Sequence, residues 1–180
     1  VSPWASVARV GDVASDVAYG TIPSGEDAAP PSVGGGTDLR NVDWANRAYE
    51  ACAGIDDVQP VQFQDGGFES SLGFGGGSLG EITYGDADAD GAEDALVPIA
   101  CSAGTSAGSY TEFLVFSASP AGPAQLGDTF SGNYTAKGTI VGGGVQTTQD
   151  RFLAGDPACC PTGGIETFTW TFRNGQWAES

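Results

Sequence analysis

The chain of 180 residues contains no histidine and no methionine, and Lys137 is its single lysine. Without histidine the commonest general base and the commonest nitrogen metal ligand are both missing. Ser-His-Asp and Cys-His catalysis are therefore excluded. A Ser-Lys pair would have to use Lys137, within SGNYTAKGT. There is no C-x-x-C spacing, so zinc-ribbon and thioredoxin-type chemistry lack their frame. No apolar run approaches membrane-spanning length. The glycine-rich stretch GFGGGSLG (73–80) is followed by no Gly-Lys-Ser/Thr and is not a phosphate loop; it reads as a flexible connection. Basic residues number six against 23 acidic ones, a net charge of −17. Such a chain repels nucleic acid and anionic membrane surfaces. No signal-peptide pattern opens it, so a secreted protein is expected here in its mature form, and Val1 leaves no lipid-bearing cysteine at the start.

What is present centres on EITYGDADADGAEDALVPIAC (81–101). Asp86, Asp88, Asp90, Gly91 and Asp94 spell D-x-D-x-D-G-x-x-D. In a tight calcium loop the first, third and fifth positions turn carboxylates inward and the seventh, here Ala92, offers a carbonyl. Glycine at the sixth permits the sharp bend. Asp94, at the ninth, binds directly or through water. Hard oxygen donors favour Ca²⁺ over softer metals, and Mg²⁺ seldom accepts an all-protein cage. The expected ligand set is Asp86, Asp88, Asp90, Ala92 and Asp94, and the ion is structural. A dissociation constant on the order of 10⁻⁴–10⁻³ M would suffice outside the cell. The twelfth position is Val97, so the bidentate Glu of an EF-hand is missing. The flanks alternate or run apolar, which suits strands. Pro98 should lie at an edge or a bulge. The loop resembles those of the FG-GAP and dockerin-like families.

Four cysteines, Cys52, Cys101, Cys159 and Cys160, fit two disulfides in an oxidising compartment. A bridge between neighbours is disfavoured. The expectation is that Cys101 reaches one of the 159–160 pair and Cys52 the other. Each bridge would stabilise by roughly 3–5 kcal/mol.

Along the chain, residues 1–38 read as a Gly/Pro-rich extension or linker. NVDWANRAYEACAG (41–54) has helical spacing through Trp44, Ala45, Ala48, Tyr49 and Cys52, with Asp43 as N-cap and Gly54 as stop. VQPVQFQ (58–64) alternates with Val61 and Phe63 inward, Asp65-Gly66-Gly67 turns, and FESSL returns. YTEFLVFSA (110–118) is a strand, and SPAGPAQLGD (119–128) a loop. GTIV and VQTTQDRFL pair around Gly142–Gly144. IETFTWTF, Asn174-Gly175 and QWAES form a hairpin with a type I′ turn. Trp170 and Trp177 read as packing residues. Asn133-Tyr134-Thr135 is a formal glycosylation triplet. The fold class expected is α+β, one N-terminal helix on a mostly antiparallel, disulfide-stapled sheet, with a calcium-binding domain over 39–180.

The helix ending in Cys52, the block ITYGDADADGAEDALVPIAC, the strand EFLVF, Cys159-Cys160-Pro161 and the hairpin TFTWTFRNGQW together resemble the LppP/LprE-type lipoprotein domain of actinobacteria. The resemblance covers roughly residues 40–179. It implies a secreted, envelope-associated protein with no catalytic residues to carry over. The expected function is a non-enzymatic, calcium- and disulfide-stabilised binding or assembly domain of the cell envelope, with an extracellular protein or polysaccharide as partner. Two rivals are a subunit of an extracellular assembly that docks or self-assembles through residues 1–38, and a carboxylate-pair glycoside hydrolase using Glu69, Glu81, Glu112 or Glu166.

Overall fold

A computed structural model describes residues 36–56, 59–104 and 108–180. The chain divides into two units, Val1–Val33 and Gly34–Ser180, and the described residues lie in the second. The expectations for the N-terminal extension, and docking through it, fall almost entirely outside the described residues.

The fold is nearly all β. In chain order the strands are β1 (Ala48–Tyr49), β2 (Val61–Gln62), β3 (Gly67–Glu69), β4 (Gly76–Leu79), β5 (Thr83–Gly85), β6 (Asp94–Ser102), β7 (Tyr110–Ser119), β8 (Gly122–Gln125), β9 (Phe130–Asn133), β10 (Lys137–Ile140), β11 (Val145–Asp150), β12 (Ile165–Arg173) and β13 (Gln176–Glu179). All pairings are antiparallel. One sheet runs β3-β4-β6-β7-β8, with β5 also on β6 and β9 also on β7; a second runs β10-β11-β12-β13; β1 and β2 form a small ribbon.

The long apolar runs ALVPIAC and FLVF have a simple cause. β6 and β7 are covered on both faces, so both sets of alternating side chains are apolar. Val97, Ile99, Cys101, Leu114 and Phe116 face a core closed by Leu39, Trp44, Tyr49, Val61 and Phe63. Leu96, Phe113 and Val115 face the other way, into a core shared with Phe130, Val145, Trp170 and Trp177 of the second sheet and its approaches. Trp170 stacks on Phe130 with centroids 4.6 Å apart and its indole N–H donates to Thr147, while that of Trp177 donates to the Leu126 carbonyl. Both tryptophans are packing residues.

The expected helix over 41–54, and with it the α+β class, is overturned. Residues Leu39–Asn41 and Trp44–Asn46 form two short 3₁₀ turns, and Ala48–Tyr49 is a strand. The reason is local. Asp38 accepts from the Arg40 backbone N–H and the Asn41 amide, and Asp43 from the Asn46 amide, so short polar side chains compete with helical bonding. Tyr49 donates its hydroxyl to the Trp44 carbonyl, a group that a helix would occupy. Cys52 sits at φ 57°, in the left-handed region, where its sulfur bonds to Cys101. Trp44, Tyr49 and Cys52 are buried as expected, but Ala48 is exposed.

Three further expectations change. GFGGGSLG is not only a flexible connection: Gly76–Leu79 is β4, between β3 and β6. SPAGPAQLGD contributes β8. Pro98 lies within the central strand β6, not at an edge. Its carbonyl accepts from Gly80 N–H at 2.8 Å. Its donor-less nitrogen therefore faces the break at residues 80–82, where β4 gives way to β5 along the same side of β6.

The disulfide expectation is also corrected. Cys52 pairs with Cys101, and Cys159 with Cys160. A strand would point neighbouring side chains to opposite faces, but 159–160 lie in the loop between β11 and β12, where strand alternation does not apply. That loop is organised by Asp156, which accepts from Leu153 N–H, Thr162 N–H and the Thr162 hydroxyl, all at 2.8 Å.

Candidate metal centre

The acidic loop joins β5 to β6 as a hairpin, with Gly85 opposite Asp94. Its bend is built by two left-handed residues, Ala89 at φ 67° and Gly91 at φ 86°. Gly91 has open space around its Cα, so its glycine character serves backbone conformation and not packing.

Carboxylates hold the bend by accepting backbone N–H groups. Asp86 accepts from Asp90 and Gly91 at 3.2 and 3.0 Å; Asp88 accepts from Asp90 at 3.1 Å; Asp90 accepts from Ala92 at 2.7 Å. Asp94 is fully buried. It accepts from Ala87 N–H at 2.9 Å and from the Ser117 hydroxyl at 2.6 Å. Ala87 is itself buried in the inter-sheet core and anchors the loop.

Of the expected ligands, Asp86, Asp88 and Asp94 are brought together. One carboxylate oxygen from each lies within 4.8 Å of the others. Oxygens on a shared Ca²⁺ sit 2.3–2.6 Å from it, so their separations reach about 5 Å at most. The cluster has that size. Asp90 is outside it, turned to cap Ala92, and Ala92 lies on the exposed rim. Ser117, which escaped the sequence reading, supports Asp94 from the facing position on β7. The signal was there once EFLVFSAS is paired with DALVPIAC, because that register sets a hydroxyl opposite the last aspartate.

Burial raises the Asp94 carboxyl above its ordinary value, against the pull of Ser117 and Ala87. Asp88 is raised as well, first by desolvation and then by the charges of Asp90 and Asp86. Both are anions that a neighbouring cation would favour. Arg40 does not fill that role. Its guanidinium makes a two-point contact with Glu93, at 2.9 and 2.7 Å, on the exposed flank and lies 4.6 Å over the Tyr84 ring.

The hydrolase candidates are scattered. Glu69 is on β3, Glu81 lies in the connection before β5, Glu112 is on β7 and Glu166 is on β12 of the second sheet. Glu112 accepts from Cys52 N–H and Glu166 from the Gln149 amide. Lys137 is exposed at the start of β10. In the glycosylation triplet, the Asn133 amide donates to the Asp150 carbonyl at 2.7 Å and its oxygen accepts from Thr135, so the side chain is already committed.

No protein-family model, curated protein or solved structure matches the chain. The likeness to LppP/LprE-type domains and to dockerin-like loops rests on the quoted motifs alone.

Proposed function

We propose that this is a secreted, non-enzymatic β-domain of the cell envelope, stabilised by one Ca²⁺ in the 86–94 loop and by the Cys52–Cys101 disulfide, whose work is binding or assembly. The observation that carries the metal is the convergence of Asp86, Asp88 and buried Asp94 within 4.8 Å. The donor set fits: all oxygen, no sulfur or imidazole, on a hairpin whose backbone N–H groups fix the carboxylates. Remaining positions would be filled by carbonyl oxygens and water. The ion's part is electrostatic, since it neutralises the loop and holds β5 and β6 in register. Paired cysteines support an oxidising location.

Thermal unfolding with 5 mM CaCl₂ and with EDTA tests this. At the affinity expected for an extracellular site, binding linkage contributes about 1–2 kcal/mol, a rise in Tm of about 3–7 °C for a unit this size. Asp88→Asn should abolish the rise. Identical melting curves with calcium and with EDTA would remove the metal from the account.

A further inference from the structure

The loop between β11 and β12 carries a disulfide between adjacent residues, Cys159 and Cys160. Both are exposed. The other bridge, Cys52–Cys101, lies in the core with its residues 0 % and 1 % exposed. A disulfide is opened by a thiolate that reaches one of its sulfurs. The surface grants that access at 159–160, and the core denies it at 52–101.

The exposed bridge is also dispensable to its surroundings. Joining neighbours, it closes no chain loop and removes little entropy from the unfolded chain. The loop keeps its shape by other means. At its base the Arg151 N–H donates to the Gly164 carbonyl at 2.7 Å, and the Arg151 carbonyl accepts from Gly163 N–H at 2.8 Å. Asp156 ties Leu153 to Thr162 across the interior. Cys160 N–H donates to the Pro157 carbonyl at 2.9 Å, and the Tyr134 hydroxyl donates to the Cys159 carbonyl at 2.6 Å. The Tyr134 ring in turn meets Phe152 edge-on. None of these contacts uses sulfur. Opening the bridge leaves two thiols on adjacent residues of a backbone fixed on both sides, placed to pair again.

We propose that Cys159–Cys160 is a redox-active site that exchanges electrons with dithiols, while Cys52–Cys101 stays closed as a structural bond. A thiolate of the dithiol attacks one sulfur, forms a mixed disulfide and releases the other cysteine as a thiolate. The dithiol's second thiolate then attacks its own sulfur in that mixed disulfide and releases the remaining cysteine. The dithiol becomes a disulfide, the protein pair takes up two electrons, and the two protons lost by the dithiol match the two gained by the cysteines. A disulfide oxidant runs the sequence backwards. The site goes beyond the binding role proposed above and depends on neither that role nor the ion.

The test is graded dithiothreitol on the folded protein, with each cysteine pair quantified by alkylation and peptide mass spectrometry. Cys159–Cys160 should open at a concentration at least about tenfold below that needed for Cys52–Cys101. The protein reduced there should melt within about 3 °C of the oxidised form. Oxidised glutathione should restore the 159–160 pairing. Reduced thioredoxin, run in parallel as a protein dithiol, separates a protein source of electrons from a small-molecule one. Opening of both bridges at the same concentration, resistance of 159–160 until the protein unfolds, a larger fall in Tm, or failure to reseal would each overturn the proposal.

Discussion

Replacing Cys52 and Cys101 together by alanine should lower the Tm by about 13 °C. The bridge spans a sequence separation of 49. On the loop-entropy relation, closing a loop of about 50 residues removes about 14 cal/mol/K from the unfolded chain, or about 4 kcal/mol at 25 °C. Unfolding a unit of about 150 residues carries about 0.3 kcal/mol/K of entropy near its midpoint, which converts that loss to about 13 °C. Both sulfurs are buried in the core beneath β6, so the double alanine also opens a small void, and the estimate is a lower bound. The control is Cys159→Ser with Cys160→Ser. That bridge joins adjacent residues and closes no chain loop, so its removal should move Tm by less than about 2 °C on the same relation. Calorimetry without reductant measures both. A Cys52/Cys101 variant melting within about 3 °C of the parent, or a Cys159/Cys160 variant falling as far as it does, would refute the reasoning.

Two other outcomes follow from particular side chains. Burial raises the Glu112 carboxyl above its ordinary value near 4.5, although the Cys52 N–H pulls it back. A raised folded value means this group's contribution is present below its unfolded value and is lost as pH rises through the folded one. Glu112→Gln should therefore gain on the parent in Tm as pH goes from 4 to 7, and parallel profiles would count against it. Expressed through a eukaryotic secretory pathway, the protein should carry no glycan at Asn133, because its amide is held by Asp150; intact-mass spectrometry showing an occupied site would contradict that contact.

The strands with two-fold or continuous apolar patterns were legible. β6, β7, β11, β12 and the Asn174-Gly175 turn, with both residues at positive φ, stand where the sequence puts them. The acidic hairpin was legible as well, down to three of its four carboxylates. The segment around Trp44 was not. Its helical spacing of large side chains is met equally by two tight turns and a two-residue strand, and the choice was made by aspartate capping and a left-handed cysteine. β4 was illegible for the opposite reason. Gly76 and Gly77 have no side chains to alternate, and the tight fit of the Phe68 ring over Gly77 is what makes that glycine a strand residue. Asp90 left the cluster because a nearer backbone N–H captured it, a competition that residue spacing does not reveal.

β4 and β5 meet β6 in tandem along one side, with Pro98 at their junction. The sheet thus carries a seam. One half is riveted by sulfur at Cys101; the other ends at Asp94 beside the aspartates. On that side no single ladder joins the two halves, so loosening of the acidic hairpin reaches β4 only through β6, which β7 pairs from Asp94 to Cys101 on the other side.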